Sequence, residues 1–339
     1  MNAHSLVETA RAFVAGDKGL LAMDESNGTC NQRFASVGIP QTVEMRRDYR
    51  ELLLTAPGLG ACISGVILYD DTIRQQTADG TPFVQVARDA GLLVGIKVDT
   101  GAKEFAAHPG EKVTEGLDGL RERLQGYFTM GARFAKWRGV FTVNDARLPS
   151  AACISANAHA LARYAALCQE AGLVPIIEPE VLMDGTHTLA RCPHVTEAVL
   201  RNVLEQLVAQ GVMLEAMILK PNMVIAGLAC TTQNTAAEVA DATLQCLLRV
   251  VPAAVPGIMF LSGGQSGELA SSRLNAMHVG CSAPWPLSFS FARALQHPAL
   301  QIWAGKETNR VAAQQALMHR AQCNHAALKG EYSAAMEAR

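Results

Sequence analysis

The sequence has no excess of charge of either sign and no hydrophobic run long enough to span a membrane. Its 29 Lys and Arg residues nearly balance its 31 Asp and Glu residues, which leaves a formal net charge of -2 at pH 7. A nearly neutral chain lacks the basic surface with which proteins bind nucleic acid or an anionic membrane. A transmembrane helix needs about 18 or more consecutive apolar residues, and no run reaches that length. We therefore expect neither nucleic acid nor a membrane among its partners.

The sequence also lacks the signals of a secreted protein. Its nine cysteines are scattered, and no two of them form a C-x-x-C pair. An odd number of cysteines without a regular framework is typical of reduced thiols inside the cell. The amino terminus has no cationic start followed by a hydrophobic core, so we expect no signal peptide. Together these features predict a cytoplasmic location.

Eight short apolar runs, bounded by turn residues, are typical of buried strands. They comprise residues 19–23, 61–68, 92–96, 132–135, 173–177, 216–219, 257–261 and 286–291. Segments between them, such as 157–169 and 235–251, carry an apolar stripe with the spacing of an amphipathic helix. Continuous apolar strands that alternate with helices predict a parallel sheet covered on both faces.

Eight such units predict an α/β protein with the (β/α)₈ TIM-barrel fold, and a chain of 339 residues has the right length for it. An open doubly wound sheet is the alternative. The turn after the first run has no glycine-rich dinucleotide signature, so this alternative gains no support. We expect a single domain, with the barrel over residues 1–310 and a helical or mobile C-terminal tail over 311–339.

Lys220 ends the sixth apolar run and is followed by Pro221 and Asn222. Burial disfavours a charged amine, so a lysine in this place can act as a neutral nucleophile. Taken alone, it is more simply interpreted as a side chain that extends from a strand end to solvent. However, most of the other runs also end at a polar or charged residue. In a TIM barrel the carboxyl ends of the strands form the active-site face.

Three other strand ends carry the partners that an imine-forming lysine requires. Lys136 can lower the pKa of a neighbouring amine by like-charge repulsion and can stabilise developing negative charge. Glu178 can move protons during formation and hydrolysis of an imine, and Asp24 is a candidate base for a substrate hydroxyl. Structural roles are the alternatives, since Asp24 can cap a helix and Glu178 can pair with a structural lysine.

A phosphate site is predicted after the seventh run. Ser262, Gly263 and the next glycine offer backbone N–H groups without side-chain obstruction, and Arg293 follows the eighth run. Many barrels bind phosphate after their last two strands. The alternatives are a flexible turn and a surface ion pair for the arginine. Arg33 and Lys97 are weaker candidates, because cations at helix or strand ends usually face solvent.

Metal-dependent chemistry is the main enzymatic alternative. The nine histidines include no H-E-x-x-H or comparable pair. Carboxylates such as Asp24 and Glu178 can bind a divalent ion, but Lys97, Lys136 and Lys220 at the same barrel end would repel one. We therefore expect catalysis without a metal or another cofactor.

The strand ends fall in six sequence blocks that follow one another over nearly the whole chain. The blocks are LAMDESNG at 21–28, GIKVD at 95–99, AKWR at 135–138, IEPE at 177–180, LKPNM at 219–223 and FLSGGQS at 260–266. In these blocks the chain resembles the class I, Schiff-base-forming fructose-1,6-bisphosphate aldolases. The resemblance implies reversible cleavage of fructose 1,6-bisphosphate to dihydroxyacetone phosphate and glyceraldehyde 3-phosphate, in glycolysis and gluconeogenesis.

The resemblance also implies a role for each candidate residue. Lys220 forms the imine with the ketone carbon, Asp24 withdraws the C4 hydroxyl proton, Lys136 supports charge and proton handling, and Glu178 assists hydrolysis. The phosphate beside the ketone is held by Ser262, Gly263 and Arg293. Further substrate contacts are expected from Ser26, Arg33, Lys97 and Arg138.

Several positions depart from the pattern of the family. Gln32 stands where animal members carry a lysine, and Ala292 stands where glycine is usual. Animal members end in a tyrosine implicated in proton exchange on the enamine, whereas the nearest candidate here is Tyr332. We therefore predict that imine formation is intact, and that protonation of the enamine uses another group or is slower.

The resemblance further implies a homo-oligomer, and a tetramer is usual in the family. An aldolase-like barrel retained as a binding or scaffolding protein is the alternative from another functional class. The set of Asp24, Lys136, Glu178 and Lys220 favours the enzyme, because a scaffold does not need it. Preference among fructose 1,6-bisphosphate, fructose 1-phosphate and sedoheptulose 1,7-bisphosphate does not follow from the sequence.

Overall fold

The computed structural model describes residues 3–144, 147–279 and 282–338. In these residues the strands are β1 (Gly19–Ala22), β2 (Ile63–Leu68), β3 (Leu93–Lys97), β4 (Gly101–Glu104), β5 (Lys112–Glu115), β6 (Phe134–Phe141), β7 (Val174–Val181), β8 (Ile218–Leu219), β9 (Ile258–Phe260) and β10 (Leu287–Phe291). All except β4 and β5 pair in parallel and close into a barrel in the order β1-β10-β9-β8-β7-β6-β3-β2. The predicted (β/α)₈ barrel is confirmed, and each of the eight apolar runs contains or overlaps one barrel strand.

Helices surround the barrel and connect its strands. In the described part of the chain they are α1 (Ala3–Phe13), α2 (Asn27–Ala35), α3 (Val43–Leu54), α4 (Asp70–Ile73), α5 (Phe83–Asp89), α6 (Leu120–Met130), α7 (Ala151–Glu170), α8 (Arg191–Ala209), α9 (Ala236–Val250), α10 (Gly267–His278), α11 (Arg293–Trp303) and α12 (Arg310–Leu328). The predicted helical segments 157–169 and 235–251 fall on α7 and α9. None of the helices in the described residues has both the length and the apolar character needed to cross a membrane.

The barrel strands form because most of their residues are apolar on both faces. The charged exceptions in β6 and β7 are Lys136, Arg138, Glu178 and Glu180. Every residue of β2 and β7 is buried, as expected for strands that face the barrel interior on one side and the helices on the other. Gly95 of β3 lets the ring of Phe134 lie against the backbone, because a β-carbon there would be 2.1 Å from that ring. Close packing inside the barrel thus depends on a residue without a side chain.

Helix α1 closes the amino-terminal end of the barrel. The ring of Phe13 packs edge-on against Phe134, with 4.7 Å between the ring centroids, and Leu6 and Ala10 join the same buried cluster. Full burial of one such aromatic side chain stabilises a fold by about 1.5–3 kcal/mol. With this end filled by apolar side chains, the carboxyl ends of the strands remain available for a polar site.

The C-terminal part of the chain returns to the helical layer. Helix α12 packs against α10 and α11, and residues 330–338 fold back toward both α10 and α12. The peptide N–H of Tyr332 donates to Asn275 Oδ1 at 2.9 Å. The division into a barrel over 1–310 and a tail over 311–339 stays a prediction.

Candidate active site

A polar cavity of about 580 Å³ opens at the carboxyl ends of the barrel strands. Its lining includes all eleven site residues predicted from the sequence: Asp24, Ser26, Arg33, Lys97, Lys136, Arg138, Glu178, Lys220, Ser262, Gly263 and Arg293. The strand ends therefore converge as the TIM-barrel topology requires. The individual roles of these residues stay predictions.

Four charged side chains form a continuous chain of ion pairs at the bottom of the cavity. The Nζ atom of Lys136 lies 2.7 Å from Asp24 Oδ2 and 3.1 Å from Glu178 Oε2. The Nζ atom of Lys220 lies 3.1 Å from the other oxygen of Glu178, Oε1. All four residues are less than a tenth exposed. Two carboxylates and two amines thus balance one another where single buried charges would be strongly disfavoured.

The strand geometry explains why these side chains meet. Residues two apart on a strand point to the same side, so Lys136 and Arg138 of β6 both reach the cavity. Glu178 and Glu180 of β7 do the same, and the parallel register places Glu178 directly opposite Arg138. Lys220 follows β8, and its peptide N–H donates to Ile177 O at 2.8 Å, which continues the pairing with β7.

The ion pairs determine which of these groups carry charge. Burial alone would raise the pKa of Asp24, but Lys136 and Lys220 outweigh it and hold that pKa well below its usual range. Burial would likewise raise the pKa of Glu178, but Lys136 and Lys220 outweigh it and lower that pKa. Burial would lower the pKa of Lys136, yet Asp24 and Glu178 raise it. At neutral pH the cavity therefore contains two carboxylates that can accept protons and a lysine that holds its proton.

Lys97 and Arg138, two of the predicted substrate-binding cations, contact carboxylates that line the same cavity. The Nζ atom of Lys97 lies 3.4 Å from Asp99 Oδ1, and the peptide N–H of Arg138 donates to Asp99 Oδ2 at 3.3 Å. The guanidinium of Arg138 donates to Glu180. The Arg138 side chain remains 44% exposed, so it can move between this carboxylate and a ligand.

Arg33 is anchored by a carboxylate that the sequence analysis did not single out. Its guanidinium donates to Glu25, and Arg50 Nη1 donates to the other oxygen of Glu25 at 2.5 Å. Burial would raise the pKa of Glu25, but Arg50 and Arg33 lower it. Glu25 thus holds Arg33 at the edge of the cavity. Ser26 lies beside it and caps α2, since its hydroxyl accepts from Thr29 N at 3.3 Å.

The turn after β9 has the backbone geometry of an anion site. Gly263 and Gly264 have φ values of +50° and +85°, which residues with side chains rarely adopt. A β-carbon at Gly263 would be 1.7 Å from the methyl group of Met183, so only glycine fits without displacement. One at Gly264 would be 3.4 Å from Arg293 Nη2, which shows how close the guanidinium lies to this turn. This glycine turn, Arg293 and the start of α11 all line the cavity and together suit a phosphate.

The structure adds His297, which the sequence patterns did not indicate and which lines the cavity one helical turn after Arg293. Gln32, noted above as a departure from the family pattern, and Asp99 of the second sequence block line the cavity as well. The i, i+4 spacing of Arg293 and His297 was the signal available for the histidine. Tyr332 does not line this cavity. Its hydroxyl donates to Glu337 Oε1 at 2.7 Å, on the outer side of α10 and α12.

Comparison with known proteins gives a consistent result. The family model described as fructose-bisphosphate aldolase class-I matches residues 5–339. A "probable fructose-bisphosphate aldolase class 1" of Xanthomonas campestris pv. campestris is 54% identical over 333 residues, which are 98% of this chain and 99% of the relative. Cytosolic fructose-bisphosphate aldolase 6 of Arabidopsis thaliana is 49% identical over 332 residues, 97% of this chain and 92% of the relative.

A solved structure agrees at the level of the fold. The fructose-bisphosphate aldolase of Plasmodium falciparum, crystallised with TRAP and a small-molecule inhibitor, superposes with a TM-score of 0.96. It is 44% identical, and the match covers 98% of this chain and 96% of that one. The family model, the relatives and the matching closed barrel agree with one another, and the chain belongs to the class I fructose-bisphosphate aldolase family.

Proposed function

We propose that the protein cleaves fructose 1,6-bisphosphate reversibly to dihydroxyacetone phosphate and glyceraldehyde 3-phosphate through an imine on Lys220. The observation that carries this proposal is the buried ion-pair chain from Asp24 through Lys136 and Glu178 to Lys220. It provides a nucleophilic amine and two ionised carboxylates in one cavity. The Ser-Gly-Gly turn and Arg293 add a phosphate site at the same barrel end.

Imine formation requires proton transfer beside the attacking amine. Lys220 passes a proton to Glu178, and the neutral amine adds to the ketone carbon of the open-chain sugar. The hydroxyl of the resulting carbinolamine takes that proton back from Glu178 and leaves as water, which gives the protonated imine. Glu178 Oε1 lies 3.1 Å from Lys220 Nζ, within reach of the protons that move in these steps. Its lowered pKa leaves it ionised and ready to accept the first of them.

Cleavage then uses the imine as an electron sink. Asp24 takes the proton of the C4 hydroxyl, the C3–C4 bond breaks, and its electron pair moves into the imine to form an enamine. Glyceraldehyde 3-phosphate leaves as the aldehyde. Protonation of the enamine and hydrolysis of the imine, assisted by Glu178, release dihydroxyacetone phosphate and restore Lys220. Lys136 lies between Asp24 and Glu178 and can stabilise charge in both half-reactions.

The two phosphates of the substrate set its orientation. We assign the phosphate beside the ketone to Ser262, Gly263 and Arg293, and the other phosphate to the side of the cavity that carries Ser26, Arg33 and Lys97. Arg138 can leave Glu180 to contact the sugar or its phosphate. Cations of the cavity lining, Arg293 beside the glycine turn and Arg33 and Lys97 elsewhere, favour a substrate that carries two phosphates.

Borohydride trapping tests the proposal directly. Reduction in the presence of fructose 1,6-bisphosphate and excess EDTA should give a covalent adduct that peptide mass spectrometry assigns to Lys220. Lys220→Met should give no adduct and no cleavage, whereas Lys112→Met, which changes an exposed lysine, should behave like the unchanged protein. Absence of an adduct, or loss of activity in EDTA, would exclude the Schiff-base mechanism.

Family membership also supports proposals on assembly and location. We propose a homotetramer, the usual state in this family, and light scattering of the purified protein tests it. We also propose a cytoplasmic location, by similarity to relatives such as the one named cytosolic in Arabidopsis thaliana. A relative in Chlamydomonas reinhardtii is named chloroplastic, so expression with a fluorescent fusion provides the direct test.

A further inference from the structure

Outside the catalytic cavity, three metal-ligating side chains come together near the C-terminus. His319 and Cys323 are four residues apart on α12, so they lie on one face of that helix. Their Nε2 and Sγ atoms are 3.7 Å apart. Glu337 belongs to a single helical turn at Ala334–Ala338, and its Oε2 lies 3.7 Å from the same imidazole nitrogen. All three donor atoms lie within 4.8 Å of one another.

These separations are close to those in a tetrahedral zinc site. Bonds of about 2.0–2.1 Å to nitrogen or oxygen and about 2.3 Å to sulfur place neighbouring ligand atoms about 3.4–3.6 Å apart. The two separations that involve His319 Nε2 are 3.7 Å, only slightly longer, and the separation between the thiol and the carboxylate is at most 4.8 Å. Side-chain rotations that draw the last two atoms toward each other would bring the three ligands to a common ion. A thiolate, an imidazole and a carboxylate suit Zn²⁺, whereas Ca²⁺ and Mg²⁺ prefer oxygen ligands alone.

Neighbouring groups already hold the Glu337 carboxylate in position. Arg320 Nη1 donates to Oε2 at 2.5 Å, and the Tyr332 hydroxyl donates to Oε1 at 2.7 Å. An ionised carboxylate has about four acceptor positions, so Oε2 retains one for a cation beside His319. The charge of Arg320 opposes cation binding, and burial raises the pKa of the Cys323 thiol, so the metal has to displace that proton. Once it has done so, the Cys323 thiolate and Glu337 together offer the ion two negative charges. We therefore expect weaker binding than at a closed four-ligand site.

A cation can reach these ligands from solvent. The side chains of His319 and Glu337 are 30% and 21% exposed, whereas Cys323 lies fully buried behind them. Three protein ligands leave the fourth tetrahedral position for a water molecule. None of the three residues lines the catalytic cavity.

We propose that His319, Cys323 and Glu337 bind one Zn²⁺ ion that ties the C-terminal turn to α12. The Cys323 thiol releases its proton to solvent as the bond from Sγ to zinc forms, so the step needs neither an oxidant nor a reductant. Bound zinc stabilises the folded position of residues 330–338 by mass action. The site takes no part in the aldolase reaction and does not depend on that assignment.

The test is titration of the full chain with Zn²⁺ against a chromophoric chelator, repeated with Co²⁺ to record thiolate-to-metal charge transfer. We expect the unchanged protein to bind one equivalent of Zn²⁺, and we expect the affinity to fall about tenfold or more in His319→Gln and in Cys323→Ser. Cys323→Ser should also lose the charge-transfer absorption. Because His319 is partly exposed, His319→Gln keeps the test valid even if the buried serine variant unfolds.

Two matched substitutions control for other donors. Cys230→Ser removes a partly exposed cysteine outside the cluster, and His159→Gln removes an exposed histidine of α7. Both should bind metal like the unchanged protein. Unchanged zinc affinity in His319→Gln, or charge-transfer absorption that persists in a folded Cys323→Ser variant, would overturn the proposal. Cleavage of fructose 1,6-bisphosphate by His319→Gln at the normal rate would show that this variant is correctly folded.

Discussion

Replacing Lys136 with methionine, which has a similar length but no charge, tests the charge arrangement of the cavity. Lys136 Nζ lies 2.7 Å from Asp24 Oδ2 and 3.1 Å from Glu178 Oε2. At an effective dielectric constant of about 20, unit charges at these separations attract each other by about 6 and about 5 kcal/mol. The variant loses both attractions, while burial continues to disfavour the charged carboxylates.

We expect the pKa values of Asp24 and Glu178 to rise in Lys136→Met. In the unchanged protein Lys136 and Lys220 lower both pKa values despite burial, so both groups stay ionised in mildly acidic solution. In the variant the base for the C4 hydroxyl becomes protonated as the pH falls. Therefore kcat/KM of the variant should decline as the pH becomes mildly acidic. In the unchanged protein, Asp24 and Glu178 cause no such decline over the same pH range. At neutral pH we expect kcat to be about 10²–10⁴-fold lower, the usual contribution of a positioned acid–base group.

The assay is the cleavage of fructose 1,6-bisphosphate from mildly acidic to mildly alkaline pH. Removing one member of a buried ion pair costs about 3–5 kcal/mol of unfolding free energy, so thermal unfolding must confirm that the variant is folded. Lys112→Met is the matched control, because Lys112 and its partner Glu104 are both exposed, with 3.7 Å between Nζ and Oε1. If the profile of Lys136→Met superimposes on that of the unchanged protein after scaling, Lys136 does not keep the carboxylates ionised.

Three further substitutions test other parts of the structure. Gly263→Ala should reduce the unfolding free energy by about 1–3 kcal/mol, because residue 263 has a positive φ. It should also raise KM, because the new β-carbon meets Met183. A normal KM would show that this turn does not bind phosphate. Arg50 and Arg33 lower the pKa of Glu25, so the ionised Glu25 carboxylate adds to the free energy of unfolding. This contribution is complete above the unfolded pKa of about 4.3 and is lost as the pH falls below that value. Glu25→Gln should therefore flatten the acid side of the stability curve measured by urea unfolding, and an unaltered slope would contradict this. Tyr332→Phe should leave exchange of the dihydroxyacetone phosphate C3 proton unchanged, because the hydroxyl bonds to Glu337 outside the cavity. A tenfold slower exchange would place the phenol in the reaction.

The catalytic candidates were recognisable from the sequence for a physical reason. A charged residue directly at the end of an apolar run is costly, and TIM-barrel topology brings such ends to one face. Lys136, Glu178 and Lys220 satisfied both conditions, and their ion pairs show how the fold offsets the cost. The pairing itself was not predictable, because it depends on strand register and side-chain direction around a closed barrel.

Other features were hidden because their sequence patterns have ordinary explanations. Arg50 lies in the amphipathic helix α3, where a cation is usually exposed, yet it is 3% exposed and bonds Glu25. The hairpin of β4 and β5 is short and has a single buried residue, so it lacks the continuous apolar run by which the barrel strands were recognised. The local sequence pattern indicates which residues of a strand or helix are buried. It does not indicate which residue from a distant segment pairs with a buried charge.

The proposed zinc cluster follows the same logic. The spacing of His319 and Cys323 is visible in the sequence, but two ligands on one helix also occur without any metal. The third ligand arrives only because the chain reverses after α12, where Gly330 adopts a φ of +72°. That reversal brings Glu337 back to Arg320, and the ion pair between them sets the carboxylate beside the imidazole. The ligand set therefore depends on the chain reversal and on a tertiary ion pair, neither of which a search for regularly spaced ligands can detect.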